Sequence, residues 1–246
     1  MQQVRNIEAQ PFTARSVIAS LLLGMRRPEL SGQRLVRAGA LFGLSEGAVR
    51  VALSRMVAAG ELATDGGSYR LAGPLLERHG RQEEGRRPRL RRWDGTWLLG
   101  VVGAGGERRA PAERAAIRRR LSALRLAEWR EGVWLRPDNL GPVAAVEGCR
   151  WWTGGRPDGP VDAGALWDLE GWSRRAVALE RAMSTTPVER IAASFGVAAA
   201  VVRHLRDDPL LPPALLPADW PADRLRAAYD GYEAAFQATL APVVRR

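Results

Sequence analysis

Six residues between positions 45 and 55 are of the kinds that read a polynucleotide: Ser45, Glu46, Gly47, Arg50, Ser54 and Arg55. Their spacing puts them on the outer side of one helix. The Arg50 guanidinium can donate two parallel hydrogen bonds to guanine O6 and N7. Arg55 can reach a phosphate, and Ser45 can cap the helix start. Gly47 weakens a helix by about 1 kcal/mol relative to alanine, a cost that close approach to a DNA backbone would explain. Between these positions Val49, Ala52, Leu53, Met56 and Val57 recur at helical spacing and face inward. Further on, Ser68 and Arg70 follow an Asp-Gly-Gly turn. A hairpin there sets them against phosphate or a minor groove.

Catalytic constellations are absent. His79 and His204 are far apart, and no HExxH, CxxC, GxSxG or P-loop spacing occurs. Cys149 is the single cysteine, which excludes an internal disulfide. Asp207 and Asp208 are adjacent but precede a proline, which suits a turn rather than acid–base work. No enzyme, metal or cofactor is therefore expected. A second binding set is conceivable further along. Arg108 and Arg109, in a glycine-rich loop, can meet an anion, and Trp134, Trp151 and Trp152 can line a pocket for a flat ligand. The alternatives are a solvated loop and core aromatics.

The surrounding elements have to position these residues. Thr13 caps a helix carrying Val17, Ile18, Leu21 and Leu22 that ends at Gly24. Ser31 caps the next, with Leu35 and Val36 inward. Residues 41–44 reverse the chain, Gly43 supplying a positive φ. Ser45 then opens a helix over 46–59, Gly60 closes it, and two short strands follow. The succession is that of a winged helix-turn-helix. Residues 93–170 give a β-α-β-β-α order of ferredoxin-like type. From 171 on, helices are expected at 172–183, 188–195 and 225–236. The fold class is α+β, in three blocks: 1–92 with a polar linker at its end, 93–170, and 171–246.

Charge follows the first block. All 37 basic residues are arginine, and the net charge is +10. Residues 1–92 hold 16 arginines against eight acids, residues 93–170 eleven against eleven, and the remainder ten against eight. Such localisation is the footprint of a phosphate-binding module. Tryptophan is skewed oppositely, all nine lying between Trp93 and Trp220. Apolar residues make up 46%, yet no apolar run approaches a membrane span and no signal peptide is read, so a cytoplasmic location is expected.

The chain resembles the PaaX-type repressors of phenylacetate catabolism. The resemblance rests on LSEGAVRVALSRMVAAGEL, GGSYRL, WDGTWLLGV, EGVWLRPDNL and DDPLLPPALLPADWP, and it spans nearly the whole sequence. It implies a winged helix, a ferredoxin-like middle domain similar to a CRISPR-associated spacer-acquisition nuclease, and a helical C-terminal domain. It also implies a homodimer on a palindromic double-stranded DNA operator, released by an aryl- or acyl-coenzyme A effector such as phenylacetyl-coenzyme A. The nuclease activity does not carry over, since the first middle strand ends Val101-Val102-Gly103 with no acid. A metal-dependent nuclease and a winged-helix protein-interaction module are the competing readings.

Overall fold

The computed structural model describes residues 13–25, 27–103 and 110–245. They form helices and two antiparallel sheets, an α+β chain, in two compact units. One unit takes the chain through Arg87, Arg175–Asp207 and the chain from Pro221. The other takes Pro88–Arg174 and Asp208–Trp220. The units are therefore not the three consecutive blocks expected. No helix among the described residues is long and apolar enough to cross a membrane.

In the first unit, helix α1 (Ala14–Leu23) starts at Thr13, whose hydroxyl accepts from the Ser16 amide at 3.1 Å. Strand β1 (Glu29–Ser31) leads into α2 (Gly32–Ala40), capped by Ser31. Gly43 turns the chain at φ +73°, and Ser45 caps α3 (Glu46–Ala58). Strands β2 (Leu62–Asp65) and β3 (Ser68–Leu71) pair in a hairpin, with β1 on the other edge of β3. Gly66 and Gly67 form its two-residue turn with φ +55° and +84°, the both-positive geometry that matches the strand twist. Ile18, Leu22, Leu35, Val49, Leu53, Met56, Leu62 and Leu71 share one core.

Two further helices of this unit are α8 (Ile191–Arg206) and α9 (Ala222–Arg245). Phe195 and Phe236 join Val17, Leu21 and Ala38 in a second core. α1 thus buries Ile18 and Leu22 on one side and Val17 and Leu21 on the other. A helix apolar on two opposite sides must be covered on both, which is why the C-terminal helices belong with the N-terminal ones. Both run beyond the expected 188–195 and 225–236, because alanines and short polar turns hide their continuation.

Of the linker expected over 78–92, residues 87–92 are not helical, and the part to Arg86 is instead the end of a helix, α4 (Gly73–Arg86). Leu75, His79, Gln82 and Arg86 lie on its buried side, a helical period carried by polar side chains that a hydrophobic pattern does not register. Arg86 is ion-paired with Glu83 and Glu233 and lies 4.5 Å over the Tyr229 ring. Gly85 meets α8 closely: a Cβ there would stand 2.6 Å from the Leu205 carbonyl oxygen.

The second unit holds β4 (Trp97–Val102), α5 (Pro111–Ala123), β5 (Ala127–Arg130), β6 (Val133–Pro137) and β7 (Cys149–Gly155). The antiparallel sheet order is β5-β6-β4-β7. α6 (Ala163–Leu166) and the start of α7 (Leu169–Thr185) follow, the rest of α7 from Arg175 belonging to the first unit; α7 is longer than the expected 172–183. Asn139 Nδ2 donates to the Leu210 carbonyl at 2.9 Å, and Asp208 Oδ1 accepts from the Leu210 amide at 3.0 Å. Trp172 stacks on Trp220 with centroids 4.4 Å apart.

His79 makes the α4 docking pH-sensitive. Its Nε2 lies 3.0 Å from the Met25 carbonyl, to which the neutral ring donates. Burial pushes its pKa below the ordinary value, with Glu83 opposing and Arg86 adding. The neutral form is thus favoured on folding. Its stabilisation is present above the unfolded pKa of about 6.5 and is lost as pH falls toward the folded value. Calorimetry between pH 7 and pH 5 should show the melting temperature falling, and His79→Gln, which retains an N–H donor, should flatten that fall.

Candidate nucleic-acid interface

The two sides of α3 differ sharply. Val49, Leu53 and Met56 are buried, while Glu46, Gly47, Arg50, Val51, Ser54 and Arg55 are exposed. Ser45 is itself exposed and accepts from the Ala48 amide at 3.3 Å. Every α3 residue expected to meet nucleic acid is therefore on the solvent side. Arg50 is held there by Glu46, with Nε and Nη2 each 2.7 Å from Oε1. This i,i+4 pair is exposed at both ends, so its contribution is about 0.3–0.5 kcal/mol. Arg55 has no ion-pair partner among the described residues.

The hairpin supplies the second group. Arg70 is exposed on β3, in register with Glu29 on one side and Ala63 on the other. Ser68 is half-buried next to the turn, its carbonyl accepting from the Thr64 hydroxyl at 2.9 Å. The unit that contains these residues holds 22 of the arginines against 14 acids, so eight of the ten surplus charges remain with it after the C-terminal helices are included.

Two positioning contacts escaped the sequence reading. Arg15, at the start of α1, clamps both carboxylate oxygens of Glu61, just past α3. This bond holds the Glu61 carboxyl below its ordinary range and raises Arg15. Forty-six residues separate the pair, and no local pattern announces it. Gly39 is the other. A Cβ there would lie 2.7 Å from Val49 Cγ2, so its absence sets how closely α2 approaches α3. Around Gly47, by contrast, nothing comes within 4 Å of a built Cβ.

Of the residues expected to bind an effector, the three tryptophans do not share one setting. Trp134 is buried with Leu121, Leu126 and Val146, and Trp151 packs on the same cluster. Gly100 pairs with both across the sheet, and a Cβ on it would stand 2.7 Å from the Trp151 ring. Trp152 points away, 51% exposed. Arg108 and Arg109 lie outside the described residues. Trp134 and Trp151 therefore fill core, the alternative weighed for them. Among the described residues, no three His, Cys, Asp or Glu side chains are grouped to hold a metal ion.

The glycine contrast is testable by chemical denaturation. Gly39→Ala should cost about 1–3 kcal/mol, the usual range for overpacking a tight contact. Gly47→Ala should stabilise by up to about 1 kcal/mol through helix propensity alone.

The family model described as PaaX-like protein matches residues 13–75. A solved structure, the uncharacterized protein Rv0674 from Mycobacterium tuberculosis, is 42% identical. That match covers 94% of this chain and 98% of the other, with a TM-score of 0.78. No curated protein matches.

Proposed function

Because this chain belongs to the family of PaaX-like proteins, which are transcription regulators, we propose that it represses transcription by binding a double-stranded DNA operator. The observation that carries the reading is the two-sided α3. Its inner residues close a core while Glu46, Gly47, Arg50, Ser54 and Arg55 are presented to solvent. On this reading α1 to α3 and the β1–β3 sheet are a winged helix-turn-helix. α3 enters the major groove from its Ser45 end. Arg50 reads a guanine, Arg55 meets phosphate, and Ser68 and Arg70 on the wing touch the backbone or minor groove.

The second unit is then read as a ferredoxin-like domain. Its strand order agrees with that fold, α5 being the first crossover, whereas residues 138–148 join β6 to β7 without the second helix. The operator is proposed to be palindromic and bound by a homodimer. The signal is proposed to be an aryl- or acyl-coenzyme A thioester, and the controlled genes those of phenylacetate-like acid breakdown.

The test is selection of genomic fragments at low ionic strength, followed by gel shifts of the enriched sequence. Specific binding should weaken steeply with salt as condensed counterions are released. Arg50→Ala should cost about 1–3 kcal/mol and relax the preference at one base pair, while Arg55→Ala should lower the salt slope by about 1. Failure to bind any fragment would remove the regulator reading. Metal-dependent cleavage of DNA or RNA that survives repurification would replace it with the nuclease.

A further inference from the structure

The first unit contains a cavity of about 580 Å³ among α1, α2, α4, α8 and α9. It is a cleft open to solvent, and small-molecule sites span about 300–1,000 Å³. Gly24, Ala38, Ala198 and Ala199 are small residues of its lining. Much of the wall is apolar: Leu21, Leu23, Phe195, Val202, Tyr232 and Phe236.

Two guanidinium groups, Arg34 and Arg78, line the same cavity. Neither has an ion-pair or side-chain hydrogen-bond partner among the described residues. The carboxylate on the wall, Glu233, is already taken by Arg86. The setting of Arg78 adds to the imbalance. Burial pushes its pKa down, and Arg203, Arg206, Arg15 and Arg81 crowd it with like charge. Arg15, Arg81 and Arg206 are ion-paired with Glu61, Glu77 and Asp207, which leaves Arg34 and Arg78 as the guanidinium groups on the wall able to meet an anion beside an apolar surface.

We propose that this cavity binds an organic carboxylate, its aliphatic or aromatic body between α1, α8 and α9 and its anionic head at Arg78 and Arg34. The occupant would touch α2 at Arg34 and Ala38, and Gly39 of α2 packs on Val49 of α3. A shift of α2 is therefore passed to α3 through a contact with no slack. That consequence rests on the regulator reading and makes the cavity a second input to α3 beside the proposed coenzyme A thioester signal. The binding itself does not depend on that reading.

The experiment is isothermal titration of the full chain with straight-chain carboxylates from hexanoate to dodecanoate and with phenylacetate and 4-phenylbutyrate. The corresponding amides serve as uncharged controls. One site per chain is expected, with the best carboxylate at least tenfold tighter than its amide. Arg78→Gln should weaken that carboxylate at least tenfold and leave the amide unchanged. Ala199→Phe should fill the chamber and abolish both. No binding up to millimolar concentration, or binding indifferent to both variants, overturns the proposal. Should Ala199→Phe fail to fold, the exposed Arg78→Gln decides alone. Gel shifts on the same preparations separate the two readings. Carboxylate binding without DNA binding leaves the site and removes the regulator, and DNA binding without carboxylate binding removes the site alone.

Discussion

The constraint from which the first unit follows is that α1 carries apolar residues on opposite sides between Val17 and Leu23. Val17, Ile18, Leu21, Leu22 and Leu23 are all nearly inaccessible, and apolar area of this kind contributes about 25 cal/mol per Å² only when both flanks are covered. The α2–α3 pair and the small sheet cover one flank. The other needs Phe195 and Phe236, which the chain brings back from far downstream. Phe42, in the turn between α2 and α3, meets Phe195 at 5.0 Å between ring centroids, so the turn that orients α3 is itself fixed by a C-terminal residue. The helical module is incomplete without the last third of the chain.

Three of the segments that carry the resemblance hold the backbone in place. Asp94 accepts from the Thr96 amide and hydroxyl, Gly95 turns at φ +89°, and Trp93 Nε1 donates to the Thr96 carbonyl at 2.6 Å. The WDGT sequence is thus a turn that launches β4, with Arg156 Nη1 donating to the Asp94 carbonyl at 2.7 Å. In RPDN, Arg136 is almost wholly buried and donates to the Gly141 carbonyl, and Asn139 ties down Leu210. In DDPLL, Asp208 holds Leu210 in a left-handed conformation at φ +53°. Each motif satisfies backbone groups that would otherwise be buried without partners.

Local rules carried much of the first unit. Thr13, Ser31 and Ser45 cap the helices they were assigned, Gly43 and the Gly66–Gly67 turn adopt the required positive φ, and the inward and outward residues of α3 fall as the 3.6-residue period dictates. What failed was information without a local signature. Periodicity cannot register α4, whose buried side includes a histidine, a glutamine and an arginine, because those become core only through partners such as Met25 and Glu233. It cannot reveal that one helix face meets residues 180 positions away. Nor can it show a cavity, which is defined by what five separate helices leave unfilled. The tryptophans were visible as a cluster, but Gly100, which makes room for Trp134 and Trp151 on one face, decides that they are core.

The Glu46–Arg50 pair bears on how the proposed recognition helix discriminates. An acid in the first turn is favoured by the helix dipole, yet it repels a phosphate. Before binding, Glu46 only biases the Arg50 fork toward one orientation. The exposed pair is worth little in water, so opening it costs little. In a major groove the same carboxylate can accept from cytosine N4 while the guanidinium takes the neighbouring guanine O6 and N7. Where no cytosine is present, the carboxylate is left desolvated and unpaired, at a cost of several kcal/mol. Discrimination on this reading comes more from the penalty Glu46 imposes on wrong sequences than from the attraction Arg50 offers to right ones.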